Sequence, residues 1–139
     1  NDWVQRGRDL VGKDPGDLFG VGLKLSNDGN TLAAVASQSI HPTLAADLGF
    51  WPYPGRGYAR VYDWFDDQDH ARNDTVGKGS RGGWVQRGSD IPGKEADSSI
   101  SALDLSADGR SIVVGSAFGG YVQAYTWEDD YVDANKSTN

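Results

Sequence analysis

Apolar residues alternate with polar or small ones in two short stretches of this chain that share one pattern. Residues 23–29 read LKLSNDG and residues 103–109 read LDLSADG. A period of two is typical of a half-buried strand. The Asp-Gly pair after it favours a tight hairpin, because glycine adopts a positive φ without steric cost. Each stretch therefore predicts a strand that ends in a hairpin turn.

Two further strands are predicted after each of these turns. Residues 31–37 and 111–117 are continuous runs of small and β-branched residues, which are typical of strands buried on both faces. Residues 57–64 read GYARVYDW and residues 120–127 read GYVQAYTW. Their two Tyr and one Trp share a strand face, so we expect these rings to fill the space between adjacent sheets.

A five-residue stretch, WVQRG, occurs at 3–7 and again at 84–88, so the chain contains an internal repeat. The offset between the two copies is 81 residues there, 80 at the hairpin turns and 63 at the third strand, so the first repeat carries 17 extra residues at about 40–56. Each unit of such a repeat buries its apolar face only against neighbouring units. The architecture should therefore be a stack of similar sheets.

These elements predict an all-β fold, with helix nearly absent. We expect a β-propeller fragment of about two four-stranded antiparallel blades, permuted so that an outer strand comes first. A seven-stranded β-sandwich is the alternative, but it does not explain why the sequence of one sheet recurs whole. The predicted strands are 3–9, 21–26, 31–37, 58–64, 84–90, 102–106, 111–117 and 121–127.

The same reading divides the chain into four parts. Residues 1–10 are the outer strand of a preceding or closing blade, and 11–90 are a complete blade with the insertion at about 40–56. Residues 91–127 are a second blade that lacks its outer strand, and 128–139 are an acidic polar tail. Propellers close with about four to eight blades, so two blades leave apolar faces uncovered. We therefore expect further blades of the same polypeptide or other copies of the chain as partners. The lack of any Met leads us to expect a segment of a longer chain.

The combined motifs resemble a known class of repeat. A Trp-x-Gln-x-Gly-x-Asp stretch is followed by Leu-Ser-x-Asp-Gly and by a strand that ends in Tyr-x-Trp. This order resembles the propeller-type repeats of large secreted or surface proteins of marine algae and bacteria, distantly similar to FG-GAP and WD40-like repeats. The resemblance covers nearly the whole chain and implies the propeller fold, but little about function, because propellers host many unrelated roles. The insertion departs from the pattern, since such repeats usually carry an Asn/Asp/Gly-rich turn at that place.

Composition excludes some classes of function. The chain has 20 acidic and 13 basic side chains and a net charge of -7, which argues against nucleic acid as a partner. It has no cysteine, so disulfides, thiolate metal sites and cysteine nucleophiles are excluded. No apolar run approaches the roughly 20 residues of a membrane helix, and we expect no membrane insertion.

Candidate metal and catalytic chemistry is sparse. The only histidines, His41 and His70, fall in different predicted loops, and no catalytic motif is present, so we expect no enzyme activity. Calcium is a minor alternative at the Asp-Gly turns and at the acidic clusters after each third strand, where a hairpin and a solvated linker are the favoured interpretations. We therefore expect no cofactor and no metal. The clustered acidic residues are Asp66, Asp67, Asp69, Glu128, Asp129 and Asp130.

The insertion carries the best candidate binding residues. It holds Phe50, Trp51, Tyr53 and Arg56 around two prolines, and stiffened aromatic side chains offer contact area at little entropic cost. The alternative is that the first two rings cover the edge of their own blade. The insertion joins the second and third strands, so it should lie beside the loop at 11–18.

Two sequons indicate secretion. Asn73 and Asn135 each begin an N-glycosylation sequon in a polar linker after a third strand. The leading prediction is a non-catalytic extracellular or cell-surface repeat module, with a scaffold or adhesion role, that binds protein or glycan through its loops. One alternative is a purely structural repeat subunit of a larger assembly. A less favoured one is part of an enzyme whose active site lies outside this segment.

Overall fold

A computed structural model describes residues 1–14, 16–38, 55–66, 82–95 and 98–129. Over these ranges the chain forms eight strands, all in antiparallel sheets, and no helix. The predicted all-β class is therefore confirmed. The described residues contain no helix that is long and apolar enough to cross a membrane.

The strands form two separate sheets that follow the two repeats. The first sheet has the order β1-β2-β3-β4, and a short strand β5 also pairs with β3 beyond the end of β4. The second sheet has the order β6-β7-β8. The strands are β1 Phe19–Leu25, β2 Thr31–Ala36, β3 Tyr58–Asp66, β4 Gly82–Gln86, β5 Ile91–Pro92, β6 Ala102–Leu105, β7 Ser111–Ser116 and β8 Tyr121–Thr126.

Six of the predicted strands agree with observed ones to within about two residues at each end, and the other two differ for local reasons. The predicted strand 84–90 ends early, at Gln86, because Gly88 has a φ of 66° and turns the chain before the separate short strand β5 begins at Ile91. The predicted strand 3–9 is not paired with any described strand, and its Trp3 is fully exposed. The two sheets do not close into a ring, so what is observed is two antiparallel sheets.

The hairpin interpretation of the Asp-Gly turns is confirmed. Gly29 and Gly109 have φ of 71° and 70°, which explains why glycine is required there. In the first turn the Ser26 hydroxyl donates to Asp28 at 2.6 Å, and the backbone N–H of Asn30 donates to the same carboxylate at 2.9 Å. These bonds, led by that from Ser26, hold the pKa of Asp28 below its usual range. The carboxylate thus ties the turn together.

The core lies between the two sheets. It is formed by small and branched side chains of both repeats: Ala33, Val35, Ala59 and Val61 from the first sheet, and Ile100, Ile112 and Val114 from the second repeat. The side chains of Leu103, Leu105, Ile91 and Tyr125 pack around this cluster. Burial of this apolar area is the main force that holds the two sheets together.

The two second strands differ in burial although their sequences predict the same environment. In β2 every residue except Leu32 is buried, as expected for a strand covered on both faces. In β7 burial alternates, and the Val113 side chain, which points away from the first sheet, is 39% exposed. The prediction of double burial is therefore wrong for β7, because no described element covers the far face of the second sheet.

Replacement of Val114 by Ala tests the position of the core. Val114 has no exposed surface, whereas Val11 is 69% exposed, so the same chemical change is available at a buried and at an exposed site. We expect Val114→Ala to lower the free energy of unfolding by roughly 2 kcal/mol, and Val11→Ala by less than about 0.5 kcal/mol. Urea denaturation followed by tryptophan fluorescence measures both, and equal losses would contradict this core.

Candidate functional site

Arg87 connects the two sheets through its guanidinium group. It follows β4, and its Nε donates to the Asp63 carboxylate at 2.6 Å in a bidentate ion pair. Its Nη1 donates to the carbonyl oxygen of Gly109 in the turn of the second sheet at 2.6 Å. Thr31 accepts a weaker bond at 3.2 Å, and the guanidinium lies 5.6 Å from the ring centroid of Trp127. One side chain therefore fixes the end of one sheet to the hairpin turn of the next.

Arg6 makes two equivalent contacts with the first sheet, to the turn carbonyl and to the tryptophan ring, but has no carboxylate partner among the described residues. Its Nη1 donates to the carbonyl oxygen of Gly29 at 2.6 Å, its Nη2 donates to the Asn30 amide oxygen, and its guanidinium lies 4.3 Å from the Trp64 ring. Arg6 occupies the same position in its repeat as Arg87 and contacts the same two groups of the following sheet, the carbonyl of the turn glycine and the tryptophan ring. The arginine of WVQRG is therefore a repeated joint between one unit and the following sheet.

The tryptophan of the same motif completes the joint. Trp84 packs edge-on against Trp64, with ring centroids 5.4 Å apart, and its Nε1 donates to the carbonyl oxygen of Arg6 at 3.0 Å. A side chain at Gly7 would meet both rings, since a Cβ there would lie 3.0 Å from Trp64 and 3.2 Å from Trp84. Glycine at this place thus lets the backbone approach the two indoles.

A second repeated contact anchors the loop that enters each sheet. The Tyr58 hydroxyl donates to Asp17 at 2.5 Å and accepts the backbone N–H of Lys13 at 2.9 Å. Tyr121 likewise accepts the backbone N–H of Lys94 at 2.9 Å. In both repeats the lysine ammonium lies over the tyrosine ring, at 4.7 and 4.9 Å from its centroid. The first tyrosine of the third strand thus fixes the loop before the first strand.

Asp90 collects three donors where β4 gives way to β5. Arg60 Nε lies 2.7 Å from its carboxylate, Lys13 Nζ 2.5 Å and Gln86 Nε2 2.9 Å. Partial burial raises the pKa of Asp90, but the hydrogen bonds from Arg60, Lys13 and Gln86 outweigh it and hold the pKa below the usual range. The carboxylate remains charged near neutral pH and is fully used in holding the loop.

A cavity of about 190 Å³ lies between the two sheets at the Arg87 joint. It is lined by residues from both repeats: Val61, Arg87, Gly88, Ser89, Ile91, Leu105, Gly109, Arg110, Ser111, Ile112, Tyr125, Thr126 and Trp127. The wall is mostly apolar, and its two charged side chains are already paired, Arg87 with Asp63 and Arg110 with Asp129. The apolar wall of the cavity suits an aromatic or aliphatic group. The residues that line the cavity pack the two sheets together.

Two of the acidic residues considered for a metal, Asp66 and Asp129, have other partners. Asp66 accepts the indole N–H of Trp64 at 2.5 Å, and Asp129 accepts that of Trp127 at 2.9 Å. Asp129 also accepts from Arg110 at 2.9 Å. Across the described ranges, no three His, Cys, Asp or Glu side chains are grouped so that they could hold a metal ion. These carboxylates close the ends of the third strands.

Most of the residues predicted from the sequence as a binding site lie outside the described residues. These are Phe50, Trp51 and Tyr53. The predicted glycosylation residues Asn73 and Asn135 and the two histidines, which were not predicted to be a site, also lie outside the described residues. Arg56, at the end of the insertion, is described and exposed.

Gln38, just before the insertion, adjoins the loop that contains Lys13 and Asp17. The Gln38 backbone N–H donates to the Asp17 carbonyl oxygen at 3.0 Å, and its side-chain oxygen accepts the N–H of Gly57 at 3.1 Å. The chain therefore enters the insertion beside the loop predicted to be its neighbour, and the position of the insertion itself stays a prediction. The roles of Arg87, Trp84 and Tyr58 were not predicted, although the exact recurrence of these residues in both repeats was the available signal.

No protein-family model matches this chain, and neither a curated protein nor a solved structure is significantly similar to it. The function is therefore inferred from the geometry of the repeat.

Replacement of Arg87 by Lys tests the joint. Lysine keeps the charge but loses the bidentate geometry and the stacking, so we expect a loss of about 1.5–3 kcal/mol in the free energy of unfolding. Arg6→Lys is the matched control and should cost less, because Arg6 donates to a carbonyl and an amide oxygen, whereas Arg87 pairs with a carboxylate. A double-mutant cycle with Asp63→Asn measures the coupling, and equal effects of the two Arg substitutions would contradict the assignment.

The Tyr58 contact predicts a loss of stability at alkaline pH. Burial and the hydrogen bond to Asp17 raise the pKa of Tyr58 to about 12, against about 10 in the unfolded chain. Its contribution is fully present below pH 10 and is lost as the pH rises from about 10 to 12, because the unfolded chain releases the proton first. Urea midpoints across that range should fall more steeply in the natural chain than in Tyr58→Phe. Parallel curves would rule out this linkage.

Proposed function

We propose that this chain is a non-catalytic, extracellular repeat module of the β-propeller type that acts as a scaffold and binds protein or glycan through the loops on one rim. The proposal takes the two stacked sheets as successive blades. The first sheet has four strands in the order expected of a blade, with the Trp84 strand outermost. The second has the same three inner strands.

The observation that carries the proposal is the use made of the repeated residues. The Arg of both WVQRG copies, Trp84 of the second copy, the Ser and Asp of each hairpin turn and the first Tyr of each third strand all bond to backbone. The residues that recur are therefore those that form the turns and hold successive sheets together. A chain that uses its recurring polar residues in this way is suited to presenting loops on a rigid body, and rigid sheets with variable loops are a common form of binding protein.

The insertion is the part in which the repeats differ most, and we assign binding to it. Gln38, just before the insertion, is bonded to the loop around Asp17, so any side chains that the insertion presents start from a rigid base. Arg56 is exposed at one end of the insertion and Lys13 is half-exposed in the loop around Asp17, so both cations are accessible to a partner. Aromatic rings with a polar border favour a sugar ring or a side chain of a protein partner. The two sequons support an extracellular place of action.

A purely structural role in a larger assembly is the second candidate. It is favoured by the exposed apolar side chains on both sheets, among them Leu23, Leu25, Val113 and Val122. Exposed apolar patches of this kind mark surfaces that contact other chains.

The double substitution Trp51→Ala and Tyr53→Ala tests binding by the insertion. If these rings are hot spots, we expect binding to a glycan array or to immobilised cell-surface glycoproteins to weaken by about thirtyfold or more, with the circular dichroism spectrum unchanged. Phe118→Ala is the matched control, since it removes a 79% exposed ring from the corresponding loop of the second repeat. Equal binding by all three chains would refute the assignment. If the double variant unfolds, the two rings stabilise the fold by covering the edge of their own sheet, and the assignment of binding to them is likewise refuted.

A further inference from the structure

The outer face of the first sheet, turned away from the second sheet, carries exposed leucines that have buried counterparts. Leu23 and Leu25 are 58% and 55% exposed. The same positions of the second repeat, 80 residues on, are Leu103 and Leu105, and these pack into the core against the first sheet. The outer face of the first sheet therefore has the side chains of a face that buries itself on a preceding sheet.

The outer face of the second sheet shows the opposite relation. Val113 and Val122 on this face are 39% and 71% exposed. Their counterparts in the first repeat, Ala33 and Ala59, are completely buried in the core. The side chains of this face therefore occupy positions that, in the first sheet, are covered by the following sheet.

The outer face of the first sheet is thus equivalent to the core-facing side of the second sheet, and the outer face of the second sheet is equivalent to the core-facing side of the first. One molecule therefore carries on its outside both kinds of surface that pack together in its core. The polar contacts of that interface repeat in the same sense. Lys24 Nζ of the first sheet lies 3.2 Å from Asp104 of the second, and these two residues occupy equivalent positions. When the outer face of one molecule's second sheet meets the first sheet of another molecule, Asp104 again faces a Lys24. The two outer faces of one copy are therefore complementary in the size of their side chains and in the charges of Lys24 and Asp104.

The open edge of the second sheet has a matching strand in the same sequence. In the first sheet, β4 pairs with β3 so that Trp84 lies opposite Trp64 and Val85 opposite Asp63. In the second sheet no described strand occupies the corresponding edge of β8. Residues 3–7 repeat the sequence of 84–88, are paired with no described strand, and carry Trp3 with its whole surface exposed. The chain thus has both an open edge and a strand that fits it.

The cavity between the sheets marks where the indole of such a strand belongs. Trp84 rests on Arg6, Gly7 and Trp64. The corresponding residues of the second repeat are Arg87, Gly88 and Trp127, and all three line the cavity of about 190 Å³. An incoming Trp at the position of Trp84 would pack against Trp127 and donate its Nε1 to the Arg87 carbonyl oxygen.

We infer that the chain associates head to tail with a second copy of itself. Residues 3–9 of one molecule form the fourth strand on β8 of the next, with Trp3 opposite Trp127 and Val4 opposite Thr126, as the register of β4 on β3 dictates. The outer face of the second sheet then packs on the first sheet of the incoming copy. Strand addition at an open edge supplies backbone hydrogen bonds, and the indole pocket supplies specificity. Because the interface joins two different surfaces, it generates closed rings or open filaments. The inference does not depend on binding by the insertion.

A complementation experiment with two variants tests this assembly. Val4→Pro removes the N–H that the strand would donate to β8 and leaves the acceptor edge intact. Val122→Lys places a charge on an exposed site that assembly would bury, and leaves the donor strand intact. By sedimentation velocity we expect the 139-residue chain to form oligomers, each variant alone to be a 14.9 kDa monomer, and their 1:1 mixture to form a dimer of twice that mass.

Two results of the experiment would overturn the inference. The first is a natural chain that stays monomeric at about 100 µM, since interfaces of ordinary size bind at micromolar concentrations or tighter. In that case the apolar faces belong to further repeats of a longer polypeptide or to another protein. The second is association by the variants individually, or its absence in their mixture.

Single cysteines test the register without disturbing the fold, because the chain has none of its own. Directly opposed residues of an antiparallel pair have Cα atoms about 4.5–5.5 Å apart, which a disulfide spans. Val4→Cys mixed with Thr126→Cys should therefore give a cross-linked dimer in air-oxidised buffer. Val122→Cys lies on the same strand face about 14 Å away and should give at least tenfold less product with Val4→Cys. Equal cross-linking at both positions would exclude the proposed register.

Discussion

The apolar contact between the two sheets is the interaction on which the rest of the structure depends. Neither sheet could bury its inner face alone, because a single antiparallel sheet of three or four strands has no second layer. The side chains are small in the first sheet and larger in the second, so alanines and valines of one face receive isoleucine and leucines of the other. This difference in size allows the two sheets to approach each other and to pack without a disulfide, since the chain has no cysteine.

Polar contacts fix the orientation that the apolar contact leaves open. Burial of apolar area has little directional preference, whereas a bidentate arginine-carboxylate pair and a carbonyl acceptor define angles as well as distances. Arg87 supplies both, to Asp63 in its own sheet and to Gly109 in the next. The hairpin turn is an effective target because the Ser-Asp bonds hold its carbonyl in place. The joint and the turn therefore work as one unit.

The same design explains why one molecule has surfaces that complement each other. A repeat whose units each present a receiving face and an inserting face has one of each left over at its two ends. The leftover faces here carry Leu23 and Leu25 at one end and Val113 and Val122 at the other. The exposed Trp3 belongs to the same pattern, since its repeat partner Trp84 is packed against Trp64. Stacking, strand addition and the indole pocket are thus aspects of one repeated interface.

The sequence by itself determined the repeat, the all-β class and most strands, because period-two patterns and Asp-Gly turns depend on local steric preference. It also predicted that the residue before the insertion lies near the loop at 11–18, where Gln38 bonds to Asp17, since strand order dictates which loops share an edge. Tertiary structure decided the rest. Only three-dimensional pairing ends the strand at Gln86, leaves residues 3–9 without a partner among the described strands and exposes Val113, because burial depends on which neighbour is present. The role of Arg87 also came from the fold, since its partners Asp63 and Gly109 are brought together by sheet packing rather than by proximity in the chain.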